Sequence, residues 1–176
     1  MKAAMSEREG FAAFVLRMRR LGMGDQRLMS ALEATPRMSF VSGNLGNVAY
    51  SRGVLPIECG EFTEGLDLQA QLIRTPELEP THRVLEIGTG SGFTAAVMAR
   101  LSGRVLSLER YRTLAELARQ RIQALKIENC IVKHADGRLA LASDGPFDRI
   151  IVWSAFDAMP RHFVDLLSSN GILVAP

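Results

Sequence analysis

The stretch Arg83-Val84-Leu85-Glu86-Ile87-Gly88-Thr89-Gly90-Ser91-Gly92-Phe93 constrains this chain more than any other. Val84 to Ile87 suit a buried strand, the alternating glycines force a tight turn, and a helical pattern follows. Strand, glycine turn and helix in that order are how a doubly wound α/β sheet cradles a nucleotide-like cofactor. A dinucleotide fingerprint, G-x-G-x-x-G, needs its third glycine where this chain has Phe93; here the spacing is G-x-G-x-G. Glu86 sharpens the distinction. A carboxylate beside the turn repels a pyrophosphate, whereas S-adenosylmethionine presents an ammonium and a sulfonium cation. The segment predicts an S-adenosylmethionine site using Glu86, Gly88, Thr89, Gly90, Ser91 and Gly92. A plain strand-to-helix turn explains one or two glycines but leaves the acid without a reason.

Alternation of strands and helices continues from there. Val105 to Leu108 predicts a second strand, Ile131 to His134 a third, Ile150 to Trp153 a fourth and Ile172 to Val174 a fifth. Helices are expected over Phe93 to Leu101, along Leu114, Ala118, Ile122 and Leu125, and through Phe163, Leu166 and Leu167. Such alternation implies a doubly wound, mostly parallel Rossmann-like α/β sheet. Upstream, Ser6 and Glu9 make a capping box before Phe11, Phe14, Val15 and Met18 at helical spacing, and Gly22 and Gly24 end that helix. Asp25 caps a second helix carrying Leu28, Met29 and Leu32, closed at Thr35-Pro36; a third runs through Leu66, Leu68, Leu72 and Ile73. Between them, about Val41 to Gly65 reads as irregular loops and short strands. The chain thus divides into a helical and loop layer over residues 1–80, covering the active site, and a cofactor-binding α/β region over 81–176, in one compact domain.

Two further acids fall at carboxyl ends of strands, where ligands of open α/β sheets sit. Glu109 ends the second strand, about twenty residues past the turn, where a carboxylate accepts from both ribose hydroxyls, with Arg110 beside it. Asp136-Gly137 follows the third strand, where an acid meets an adenine exocyclic amine. Taken singly, Glu109 also reads as a helix-capping surface acid and Asp136-Gly137 as an ordinary turn. A NAD enzyme could share Glu109, so Glu86 and the glycine spacing carry the discrimination.

At this point the sequence resembles a family. Val84-Leu85-Glu86-Ile87-Gly88-Thr89-Gly90-Ser91-Gly92, Leu108-Glu109-Arg110, His134-Ala135-Asp136-Gly137 and Gly145-Pro146-Phe147-Asp148 look like protein-L-isoaspartate O-methyltransferases, class I S-adenosylmethionine-dependent enzymes. Thr35-Pro36-Arg37-Met38-Ser39-Phe40-Val41, Ala49-Tyr50 and Leu55-Pro56-Ile57 with Gly60 resemble that family's N-terminal region, and the Pro36-Arg37-x-x-Phe40-Val41 and Leu55-Pro56-Ile57 elements are the more family-specific. The resemblance implies methyl transfer from S-adenosylmethionine to the carboxylate of an isoaspartyl residue in a damaged protein. A carboxylate acceptor is already ionised at neutral pH, so no general base is required, and catalysis is mostly positioning.

The chain also departs from that family. Relatives carry Gly-Gln-Thr-Ile-Ser after Leu-Pro-Ile, facing cofactor and acceptor; here Gly60-Glu61-Phe62-Thr63-Glu64 stands there, so Gly60, Glu61, Thr63 and Glu64 become candidate substrate-facing residues. An acid about 4 Å from an acceptor carboxylate costs roughly 4 kcal/mol at an effective dielectric near 20. Arg52 stands where the family often has an acid, and a compensating Arg52–Glu64 pair is one expectation; two residues on a solvated loop is the other. Relatives continue beyond the fifth strand into a terminal hairpin, whereas this sequence stops at Pro176, leaving that strand as a bare edge. Either the sequence is a shortened one or a second copy covers the edge as a homodimer. Two other readings stand beside the repair enzyme: a class I methyltransferase with a different acceptor, and a catalytically silent cofactor binder.

Bulk properties bound the partners. A formal net charge of +2 gives no field that selects nucleic acid, and Arg17, Arg19 and Arg20 read as a solvated helix face. No apolar run is long enough to span a bilayer, and Met1-Lys2-Ala3-Ala4 leads into charge, unlike a signal peptide. Cys59 and Cys130 are far apart, and the histidines are scattered, so the expected setting is a reducing cytoplasm with no structural metal.

Overall fold

The computed structural model describes residues 6–139, 142–156 and 161–175; Met1 to Ala4 and Pro176 lie outside them. The N-terminal layer comprises α1 (Glu7–Arg20), α2 (Gln26–Glu33) and α3 (Leu66–Arg74). An antiparallel pair, β1 (Leu55–Pro56) and β2 (Phe62–Thr63), precedes α3. Helix starts follow local chemistry. Ser6 Oγ accepts from the Glu9 amide while Glu9 accepts from the Ser6 amide, the reciprocal capping box. Asp25 accepts from the amides of Arg27 and Leu28 at the head of α2.

The α/β half holds β3 (Arg83–Ile87), α4 (Phe93–Leu101), β4 (Arg104–Glu109), α5 (Arg112–Ala124), β5 (Cys130–His134), β6 (Phe147–Val152), α6 (Arg161–Val164) and β7 (Leu167–Val174). The strands are parallel in the spatial order β5-β4-β3-β6-β7. Side chains alternate across this sheet, as a period of two demands. Val84, Val105, Val132 and Ile151 join α4 and α5 in one core, which also contains Phe14, Leu28 and Leu66 of the N-terminal layer. Leu85, Leu106, Leu108 and Ile150 join Phe163 in a second core on the opposite face. Strand order reverses between β3 and β6, and a crevice opens there at the carboxyl ends.

One cation binds the two halves. Arg37 is 1% exposed, and its guanidinium lies 4.4 Å from the Phe93 ring at the start of α4. It donates to Ala49 O at 3.3 Å, to Gln69 Oε1 at 2.5 Å and to Glu64 O at 2.9 Å. The backbone amides of Arg37 and Met38 donate to the Glu7 carboxylate, which also accepts from Tyr50 OH. Burial draws the guanidinium down to about 10, with Tyr50 and Glu7 opposing that fall, so it stays charged at neutral pH.

Two expectations are corrected. Arg17 is not part of a solvated face: it donates to both Asp67 oxygens, at 3.1 and 2.8 Å, and to Tyr50 O. Its long side chain spans the gap between α1 and α3, which the spacing within α1 does not reveal. Leu167 belongs to β7, where it pairs with Phe147; Phe163, Leu166 and Leu167 are too few to tell a short helix from a strand entry. Replacing Arg37 by Ala leaves a cavity and unpaired acceptors at Gln69, Ala49 and Glu64, and is expected to cost about 3 kcal/mol or more in urea unfolding.

Candidate active site

A cleft of about 570 Å³ opens at the carboxyl ends of β3, β4, β5 and β6, roofed on one side by β2. Its floor is the glycine turn. The Gly88 amide donates to Leu108 O at 2.9 Å, so the turn leaves the sheet as a continuation of the ladder. Gly92, at φ +88°, caps α4 so close to α5 that an added Cβ would lie 2.8 Å from Ala118 Cβ. That contact lets α4 and α5 approach and keeps the turn low.

Glu109, at the end of β4, is 5% exposed. One carboxylate oxygen accepts from the Gly90 amide and the other from the Tyr111 amide, both at 2.9 Å, leaving lone pairs on each oxygen for a ligand. Asp136 accepts from Arg138 Nη2 at 2.6 Å and from its amide at 3.0 Å; these bonds hold its carboxyl down at about 2. Across the mouth, Arg110 donates to Glu61 Oε1 at 3.1 Å and stacks 4.8 Å from the Tyr111 ring.

Of the residues expected at the site, Gly88, Gly90, Glu109, Arg110, Asp136, Gly137, Glu61 and Glu64 line the cleft together. Thr89, Ser91, Gly92, Gly60 and Thr63 do not line it: Thr89 bonds Ser107 beneath the turn, and Thr63 turns inward to accept from Gln69 Nε2 at 3.0 Å. Glu86 needs the larger correction. It is fully buried on the α4 face of the sheet, and its carboxylate accepts from Thr94 Oγ1 and Ser107 Oγ at 2.5 Å and from Trp153 Nε1 at 2.9 Å. It therefore supports the turn from below rather than meeting a ligand cation directly. Alternation along β3 points it away from the crevice, which the charge argument ignored.

The Arg52–Glu64 pair does not form either. Arg52 Nε lies 3.3 Å from Asp67, the acid Arg17 also engages. Gly65 makes this possible: an added Cβ there would meet Arg52 O at 2.1 Å. Ile57, Phe62, Trp153, Ser154 and Phe156 line the cleft without having been anticipated. Trp153 and Ser154 follow β6 directly, so the carboxyl-end rule that found Glu109 could have found them.

The family model for protein-L-isoaspartate(D-aspartate) O-methyltransferase matches residues 11–176. The chain belongs to that family. The protein-L-isoaspartate O-methyltransferase of Rhizobium meliloti is 42% identical over 161 residues, covering 92% of this chain and 79% of the relative. That of Yersinia enterocolitica is 41% identical over 162 residues, covering 92% and 78%. Among solved structures, a protein-L-isoaspartate O-methyltransferase aligns at a TM-score of 0.82 and 28% identity, over 97% of this chain and 55% of that one. A Plasmodium falciparum chain crystallised with S-adenosyl-L-homocysteine shares the fold, at a TM-score of 0.79 and 24% identity, over 93% and 82%.

In this family member Glu86 carries a pH signature. Burial, with a smaller push from Glu109, lifts its carboxyl to about 7 against the three donors that pull it down. The folded state then holds a proton that the unfolded chain releases near the ordinary glutamate value of 4.5. Stability from this group is present below pH 4.5 and is lost as pH rises through about 7. At about 1.4 kcal/mol per pH unit the loss approaches about 3 kcal/mol, and Glu86→Gln is expected to flatten that slope in urea titrations at pH 5 and 8.

Proposed function

We propose that this chain is an S-adenosylmethionine-dependent protein-L-isoaspartate O-methyltransferase that esterifies isoaspartyl carboxylates of damaged proteins. Membership of the family over nearly the whole chain carries this reading. The residues present fit the cofactor. Glu109 has lone pairs free for ribose hydroxyls, Asp136 and Gly137 line the same cleft within reach of an adenine edge so bound, and the glycine turn leaves room for the backbone to approach the ligand. Bound there, the cofactor supplies an activated methyl group on a sulfonium. The chain's own part is to hold the acceptor oxygen in line with that group and to keep water out with Ile57, Leu114, Trp153 and Phe156.

The acceptor is an isoaspartyl-containing protein or peptide, ionised without help from a base. Ile57, Glu61, Phe62 and Glu64 line the cleft from the β1–β2 side, which this reading gives to the acceptor, and Gly88, Gly90, Glu109 and Asp136 line it from the strand ends, which it gives to the cofactor. The reading places the enzyme in the cytoplasm; it is supported by two free cysteines and by the absence, among the described residues, of any helix long and apolar enough to cross a membrane.

S-adenosylhomocysteine at about a hundred times its dissociation constant is expected to stabilise the fold by about 2.7 kcal/mol, raising Tm by roughly 5–10 °C. Glu109→Ala should remove most of that shift. With radiolabelled S-adenosylmethionine, an isoaspartyl peptide should become base-labile methyl ester while its aspartyl counterpart stays unlabelled. Cofactor binding without any labelling of the isoaspartyl peptide sinks the repair assignment.

A further inference from the structure

Phe62 and Glu64 both line the cleft. They stand two apart on an extended segment, so their side chains leave the same face, while Thr63 between them turns into the core. Phe62 is 67% exposed, so its ring face is open to a ligand. Among the described residues the Glu64 carboxylate has no hydrogen-bond or ion-pair partner. The other acids of the cleft do: Glu61 has Arg110, Asp136 has Arg138, and Glu109 has the amides of Gly90 and Tyr111. The backbone beneath the pair is held, since Glu64 O accepts from buried Arg37 and Thr63 Oγ1 from Gln69.

A held, exposed aromatic face beside an unpaired carboxylate is the surface that receives a basic side chain. The aliphatic stem packs on the ring, and the cation meets both the π face and the carboxylate. We propose that Phe62 and Glu64 form a subsite for a lysine or arginine side chain of the polypeptide acceptor, close in sequence to the residue methylated. The inference rests on the isoaspartyl reading and deepens it. Without a cation there, Glu64 and the acceptor carboxylate repel each other; a cation seated between them turns that repulsion into two attractions. With a formal net charge of +2, the summed charge of the chain does not favour basic peptides, so a preference for them must come from local groups.

The test compares isoaspartyl peptides that differ only in one flanking residue, lysine or alanine. The lysine peptide is expected to show a kcat/KM about fivefold or more higher at low ionic strength, chiefly through KM, with the gap shrinking as salt is added. Glu64→Gln should close most of that gap and Phe62→Leu narrow it, with S-adenosylhomocysteine binding by each variant as the check on its fold. Equal turnover of the two peptides by the native protein, or a gap that survives Glu64→Gln, overturns the subsite. If neither peptide is methylated by protein that binds S-adenosylhomocysteine, the isoaspartyl reading falls, and the subsite with it.

Discussion

The Glu86 carboxylate holds together the elements that make the site. Three side-chain donors converge on it, from α4 through Thr94, from β4 through Ser107 and from the residue after β6 through Trp153. Those elements carry the glycine turn, Glu109 and the far wall of the cleft. A buried carboxyl bonded by three donors from three elements specifies one mutual placement of its partners, because any shift leaves a polar group unpaired in a low-dielectric interior. Its elevated proton affinity is the cost of that burial, offset in part by the same three bonds.

Arg37 plays the corresponding part for the β2 side of the cleft. Its guanidinium reaches Glu64 O, Gln69 and Ala49 while resting on Phe93, so the wall formed by β2 is tied to the first residue of α4. The β2 wall and the strand-end wall of the cleft are thereby set against each other by one buried cation and one buried acid, neither of which lines the cleft. Methyl transfer between two bound molecules demands this kind of placement, since its rate depends on in-line approach more than on proton transfer.

The elements of the sheet were legible because their signals are local. Strand runs, the capping box at Ser6 and the glycine turn each depend on residues within one or two turns of chain. Glu109 was legible for a related reason: a strand end is a position in sequence as well as in space. Glu86 was named for the right segment but the wrong task, since a charge argument along the chain does not say which face of β3 the acid occupies. Arg17 and Arg52, both on Asp67, were misread because their partner lies on another helix or past a turn.

By itself the sequence determined the fold class, the place of the cofactor turn and the family, because periodicity and short motifs survive without knowledge of distant contacts. Only the tertiary structure decided which carboxylates face the cleft and which are spent on holding it. Glu86, Glu109 and Glu64 are the same side chain at three positions. Their partners are three side-chain donors, two backbone amides and, among the described residues, none. The free energy of a carboxylate is set by what surrounds it, and those surroundings are assembled from segments far apart in the chain.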